Sequence, residues 1–118
     1  MVRYPDFIRH IVNPILANYI RKRRNLVNTV EEIKKFLVEA EVKYGFSSFN
    51  GDPEKLSDYL MSSDFNLLIR VFKSCNSIDV LKEILNTAKE KYSDLPRVVE
   101  AINHVFKNLE KYEEDEGK

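Results

Sequence analysis

IDVLKEILNTAKEKYSDLPRVVEAINHVFKNLEKY, residues 78–112, decides the fold class. Ile78, Leu81, Leu85, Ala88 and Tyr92 recur at alternating steps of three and four, and so do Val98, Ile102, Val105, Leu109 and Tyr112. That spacing lines one face of a helix with apolar side chains. Ser77 stands ahead of the first series as a cap. Ser93 or Asp94 followed by Pro96 separates the two, a capping residue and then a proline that fits the first helical turn. The stretch therefore predicts two amphipathic helices folded into an antiparallel hairpin.

The same signals continue towards the N-terminus. Ser63 or Asp64 is the expected cap of a fourth helix through Phe65, Leu68, Ile69 and Phe72. Asp52-Pro53 opens a short third one, with Leu56, Tyr59 and Leu60 facing inward. Phe46 to Gly51 is the longest loop, and Phe46 and Phe49 are expected to anchor it on the core. Thr29-Val30-Glu31-Glu32 has the pattern of a capping box. It places a second helix from there to Tyr44, after a connector from Asn25 to Thr29, with Gly45 as its stop.

The first helix begins near Pro5-Asp6, and Phe7, Ile8, Ile11, Val12, Ile15, Leu16, Tyr19 and Ile20 form a pair every four residues. The phase runs through Pro14, which predicts one kinked helix or two short ones with Asn13 as cap. At 100° per residue the apolar arc is about 220°, wider than a surface helix needs. That width predicts burial on two sides, or on one side with a partner on the other. No stretch alternates as a strand does.

The expected fold is all-α, a compact bundle of five or six helices. Residues 1–112 form one domain, and residues 113–118 form an acidic tail with no apolar residue to bury, expected to be disordered. Residues 30–44 and 78–92 align without gaps, sharing Lys34/Lys82, Leu37/Leu85, Ala40/Ala88, Lys43/Lys91 and Tyr44/Tyr92. Two helices with the same packing task account for that likeness better than a duplication, because the segments after the two copies do not align.

At 118 residues the chain is the size of one domain, and its hydrophobic fraction of 43% supplies one core. Net charge is zero but unevenly placed. Residues 1–29 hold Arg3, Arg9, Arg21, Lys22, Arg23 and Arg24 against Asp6 alone, a balance of +5, and the remainder carries −5. Overall neutrality argues against a protein that simply coats nucleic acid. A lone cysteine, Cys75, excludes an internal disulfide framework, and its apolar surroundings suggest an inert thiol. No run is apolar enough to span a membrane, and charges interrupt any leader-like segment, so the expected location is cytoplasmic.

Chemistry-bearing constellations are missing from the sequence. His10 and His104 lack partners at metal-ligand spacing. No Ser or Cys stands in a recognisable nucleophile–base pattern. Carboxylates fall in helix-surface pairs such as Glu31/Lys35. Asn50-Gly51-Asp52 has too few oxygen ligands for a calcium loop, and three glycines cannot build a phosphate loop. The expectation is a non-enzymatic protein with no catalytic residues, metal or cofactor.

The basic first helix remains. On a regular wheel Arg9, His10, Asn13, Ala17, Arg21 and Arg24 lie on the strip left by the apolar arc, while Lys22 and Arg23 point towards the arc. One or two cations at a helix C-terminus offset the macrodipole. Four in a row exceed that need, and they suit a phosphate backbone. Arg9, His10, Arg21, Lys22, Arg23 and Arg24 are the candidate nucleic-acid-binding residues. The readings are a nucleic-acid-contacting subunit of a larger assembly, or a helical protein–protein adaptor using the first helix's apolar face. A helix-turn-helix regulator ranks third, since residues 64–75 offer only Arg70 and Lys73.

In size, helical pattern, Lys/Glu/Ile-rich composition and basic patch, the chain resembles the small helical subunits of archaeal CRISPR effector complexes. That resemblance implies a non-catalytic accessory subunit of an antiviral ribonucleoprotein, touching RNA or DNA backbone without sequence preference. No motif carries it, so it assigns no residue. The expected partners are other protein subunits and nucleic-acid backbone, not membrane, with self-association open.

Overall fold

In a computed structural model, which describes residues 4–24, 26–46 and 52–116 and side chains as far as Lys111, the chain is all-α. Its helices are α1 (Asn13–Lys22), α2 (Leu26–Tyr44), α3 (Lys55–Leu60), α4 (Ser63–Ser74), α5 (Ile78–Lys91) and α6 (Pro96–Glu116). Ahead of α1, Phe7–Val12 wind as a π-helix. No strand occurs among the described residues.

The π-winding resolves the first helix. The Asp6 carboxylate starts it by accepting from the backbone N–H groups of Ile8 (3.0 Å) and Arg9 (3.2 Å). The N–H of Asn13 then reaches back five residues to the Ile8 carbonyl. Pro14 explains why: its ring crowds the carbonyl four residues earlier, and a wider turn moves that carbonyl aside. No Asn13 side-chain cap is present; Asn13 is itself helical, at φ −60° and ψ −44°.

Phase depends on winding. Eight residues of α-helix drift about 80° past two full turns. Each residue of the wider turn advances less, which takes that drift back. The quartet Phe7, Ile8, Ile11 and Val12 therefore shares one face with Ile15, Leu16, Tyr19 and Ile20. All eight are buried or pack against the core. The two-sided burial expected from a regular wheel becomes one-sided, with α5 and α2 beneath.

Helix α2 begins at Leu26, so Thr29 sits inside the helix and caps nothing. Leu26 is fully buried and extends the series Val30, Ile33, Leu37 and Ala40 by one turn. Its N–H donates to the carbonyl of Arg23 (3.2 Å). Burying that leucine outweighs the local capping pattern. Gly45 closes α2 at φ +70°, where a glycine is favoured. Phe46, the next residue, anchors the chain as it leaves the helix: its ring stacks on Tyr59 (5.3 Å, 14°) and meets Phe7 edge-on (5.9 Å). Phe49 lies outside the described residues.

Asp52 is not the cap of α3: its carboxylate accepts from the Glu54 N–H (2.9 Å) in the turn ahead of the helix, Glu54 caps without a side-chain bond, and regular α3 starts only at Lys55, so Pro53 lies before the helix. The cap of α4 is Ser62, one residue before the expected Ser63 or Asp64. Its extended backbone lets its hydroxyl accept from the Phe65 N–H (3.4 Å). Between α4 and α5, Asn76 takes φ 55° while the Ser77 N–H reaches back to Phe72 (2.8 Å) and the Asn76 N–H to Lys73 (3.1 Å). That is a Schellman turn with asparagine in the left-handed position. Ser77 precedes α5 but its side chain does not cap it; the hydroxyl donates to the Cys75 carbonyl (3.2 Å).

Helix α5 is central, packed by the π-helix, α1, α4 and α6. Val80, Leu81, Ile84, Leu85 and Ala88 are each at most 2% exposed. Helix α6 turns back over Tyr92–Leu95 and packs on α5 and, more extensively, on α3. Its backbone stays helical to Glu116, beyond the Tyr112 limit read from periodicity. The repeat-related positions Leu37/Leu85 and Ala40/Ala88 do equivalent work, all four being buried.

Candidate nucleic-acid interface

Helix α1 presents the candidate cations. Arg9 and His10 are exposed on the π-helix, and Pro14, Ala17, Asn18, Arg21 and Lys22 continue the exposed strip along α1. Lys22 thus joins the strip instead of pointing at the apolar arc, a result of the corrected phase. Arg24 is exposed in the turn after it. From Arg9 to Arg21 the strip is about 18 Å long, at roughly 1.5 Å per residue.

Arg23 is different. It caps α1 with extended backbone (φ −131°, ψ 98°), and its N–H closes the last turn on Tyr19 (2.8 Å). Its guanidinium forks onto Asp79 at the start of α5, Nη1 to Oδ1 at 3.0 Å and Nη2 to Oδ2 at 2.6 Å. It also covers the Tyr19 ring, 5.0 Å from the centroid. This bidentate pair holds the Asp79 carboxyl below the usual carboxylate range. The Glu83 carboxylate facing the Tyr19 hydroxyl pushes that phenol up. Arg23 therefore clamps α1 to α5 and leaves Arg21, Lys22 and Arg24 as the outward cations. Sequence reasoning placed Arg23 towards the core but had no signal for a partner 56 residues away.

Arg9 is partly engaged, with Nε 4.0 Å from the capping Asp6 carboxylate. Among the described residues no carboxylate comes within ion-pair distance of Arg21, Lys22 or Arg24.

Elsewhere the polar groups are tied into the fold. Lys43 and the Tyr44 hydroxyl converge on Asp64 Oδ2 (2.8 and 2.9 Å), joining the end of α2 to the start of α4 and holding the Asp64 carboxyl low. His104 lies in the groove between α3 and α6 with Ser57, whose hydroxyl donates to the Glu54 carbonyl (2.6 Å). Cys75 Sγ is half-buried against the Ser77 hydroxyl (3.2 Å). Among the described residues no three His, Cys, Asp or Glu side chains gather as a metal site, and no helix is long and apolar enough to cross a membrane. Large exposed apolar side chains are Val27, Val38 and Val42 on α2, with Met61 and Leu67. The first helix offers no such surface. Compared with models of protein families, with curated proteins and with solved structures, the chain has no match.

Proposed function

We propose that this protein is a non-enzymatic accessory subunit of a nucleic-acid-binding assembly, meeting phosphate backbone through Arg21, Lys22 and Arg24, with Arg9 and His10 extending the track. The observation that carries the reading is the division of labour in the run 21–24. One arginine is committed to Asp79, and three cations stay exposed at a fixed helix end. Backbone contact of this kind is independent of sequence. Few contacts imply weak binding alone, raised in an assembly by multivalency. The resemblance to CRISPR effector small subunits points the same way.

Fluorescence anisotropy with labelled single-stranded and duplex oligonucleotides tests the reading. Three to five neutralised phosphates give a log–log salt slope of about −2.7 to −4.5 on duplex. Arg21→Glu with Arg24→Glu removes the binding and leaves the helical signal intact. Absence of salt-dependent binding, alone or with partner subunits, overturns the proposal.

An adaptor role without nucleic acid is the second reading, and the outer face of α2 favours it. Val38 and Val42 are 51% and 83% exposed, one turn apart. A partner held there would resist salt and nuclease and be lost on Val38→Asp with Val42→Asp.

A further inference from the structure

Helix α2 carries a second stripe besides its buried one. Arg24, Glu31 and Val38 stand seven residues apart, and so do Val27, Lys34 and Glu41. Interleaved, the six recur at alternating steps of three and four, the spacing of a coiled-coil seam. Arg24 belongs to the stripe because its carbonyl accepts from the Val27 N–H (3.2 Å), which sets it one turn before Val27. At 100° per residue the stripe lies roughly 110° round the helix from Leu26, Val30, Ile33, Leu37 and Ala40. It is therefore distinct from the face that fills the core.

The fold leaves this stripe open. Val27 and Val38 are 50% and 51% exposed, Arg24, Glu31 and Lys34 are exposed, and Glu41 is partly so. Among the described residues none of the four charged side chains has an ion-pair partner. Whatever covers two valines set among four charges must bring an opposite charge to each, or lose their hydration uncompensated.

The stripe itself meets that demand. In chain order it reads Arg24, Val27, Glu31, Lys34, Val38, Glu41. Laid antiparallel on a copy of itself, about the level midway between Glu31 and Lys34, it sets Arg24 on Glu41, Val27 on Val38 and Glu31 on Lys34, each twice. Every charge faces its opposite and every valine a valine. Laid parallel and in register, the same stripe would set Glu31 on Glu31 and Lys34 on Lys34.

We infer that two copies of this chain pair through α2, antiparallel about a two-fold axis at the level midway between Glu31 and Lys34. The contact is self-complementary, so it closes at a dimer. On a straight helix the stripe drifts about 20° per heptad, and a crossing angle of about 20° keeps it in contact. A single helix pair is a small interface, so the dimer is weak and reversible. The inference goes beyond both readings of function. Its central pair, Glu31 and Lys34, lies outside the phosphate track, so it stands without nucleic acid.

Sedimentation equilibrium on the purified chain, free of nucleic acid, tests it. A monomer–dimer equilibrium is expected at about 200 µM protein, as befits a small interface. Glu31→Lys sets lysine against Lys34 twice, and Lys34→Glu sets glutamate against Glu31 twice, so each variant alone is a monomer. An equimolar mixture of the two restores a one-to-one dimer, because both contacts are again between opposite charges. The double variant Glu31→Lys with Lys34→Glu dimerises alone, and Val38→Asp gives a monomer. Circular dichroism checks that each variant folds. A wild type that stays monomeric, single variants that still dimerise, or a mixture and double variant that stay monomeric overturns the inference. Oligomers larger than two overturn the two-fold geometry. Oligonucleotide binding is read separately by anisotropy, so failure here and failure of the phosphate reading are told apart.

Discussion

The Tyr92 hydroxyl, at the end of α5, donates to the main-chain carbonyl of Pro5, 87 residues earlier in the chain. Tyr92 is 1% exposed, and burial pushes its phenol well above the ordinary range. Tyr4 lies against it, ring centroids 6.1 Å apart, and its own hydroxyl donates to Asp94 (3.0 Å). The segment that positions the Asp6 cap, and through it the basic helix, is thus pinned to the turn between α5 and α6.

Tyr92→Phe keeps the ring and leaves the Pro5 carbonyl without its donor. A half-buried bond of this kind is worth about 1–2 kcal/mol, so thermal unfolding should shift down by several degrees. Tyr4→Phe, whose bond is exposed, should shift it by less than about 2 °C.

Arg23 and its neighbours should separate cleanly. Arg23→Ala lowers the melting temperature by about 3 °C, and Asp79→Ala does the same without adding to it in the double variant. Arg21→Ala and Arg24→Ala leave the melting temperature unchanged within about 1 °C. A double-mutant cycle followed by thermal denaturation checks both statements.

The start of α2 is decided by two alanine variants. Leu26→Ala opens a cavity and costs about 2–5 kcal/mol. Thr29→Ala is neutral or slightly stabilising, because Thr29 is a helix-interior residue; loss of a true cap would cost about 1 kcal/mol. Urea titrations distinguish the outcomes.

Among the described residues Gly45→Ala meets no atom within 4 Å of the added methyl group, so the expected cost is conformational. Holding an alanine in the left-handed region costs about 1–2 kcal/mol. Gly45→Asn should cost less, since asparagine tolerates that region. Urea midpoints of the two variants rank them.

Stability should be flat from about pH 5 to 9.5 and fall on both sides. Asp64 and Asp79 are held low by Lys43 and Arg23, so the unfolded chain binds more protons in acid. Their contribution is complete above the ordinary carboxylate pKa of about 4 and lost as pH falls through the folded values. Burial raises Tyr59 and Tyr92, whose contribution is complete below about pH 10 and lost above it. Melting curves across pH, with Asp79→Asn shrinking the acid limb, check the signs.

The heptad series at 78–112 was legible because each helix there buries one regular face, and Pro96 and Ser77 mark starts that tertiary contacts leave in place. Thr29 misled because a local cap competes with a buried leucine three residues earlier, and burial is worth more. The width of the first helix's apolar arc was real in sequence but wrong in meaning. Period counting assumes one winding, and Pro14 changes it. The exposed cations Arg21 and Arg24 were readable from helix phase. The Arg23 partner was not, because a pairing between α1 and α5 leaves no local trace in either.

The central place of α5 sets an order of events at synthesis. Residues 7–22 bury their apolar face mainly against a helix that begins at residue 78. At about 5–20 residues per second, the ribosome delivers that helix roughly 3–14 s after the first one. Until then the basic helix has only α2 to pack on, and most of its apolar face stays uncovered. A nascent chain released before residue 92 would lack the Tyr92 tether as well. The protein is built so that its first segment is among the last to find its place.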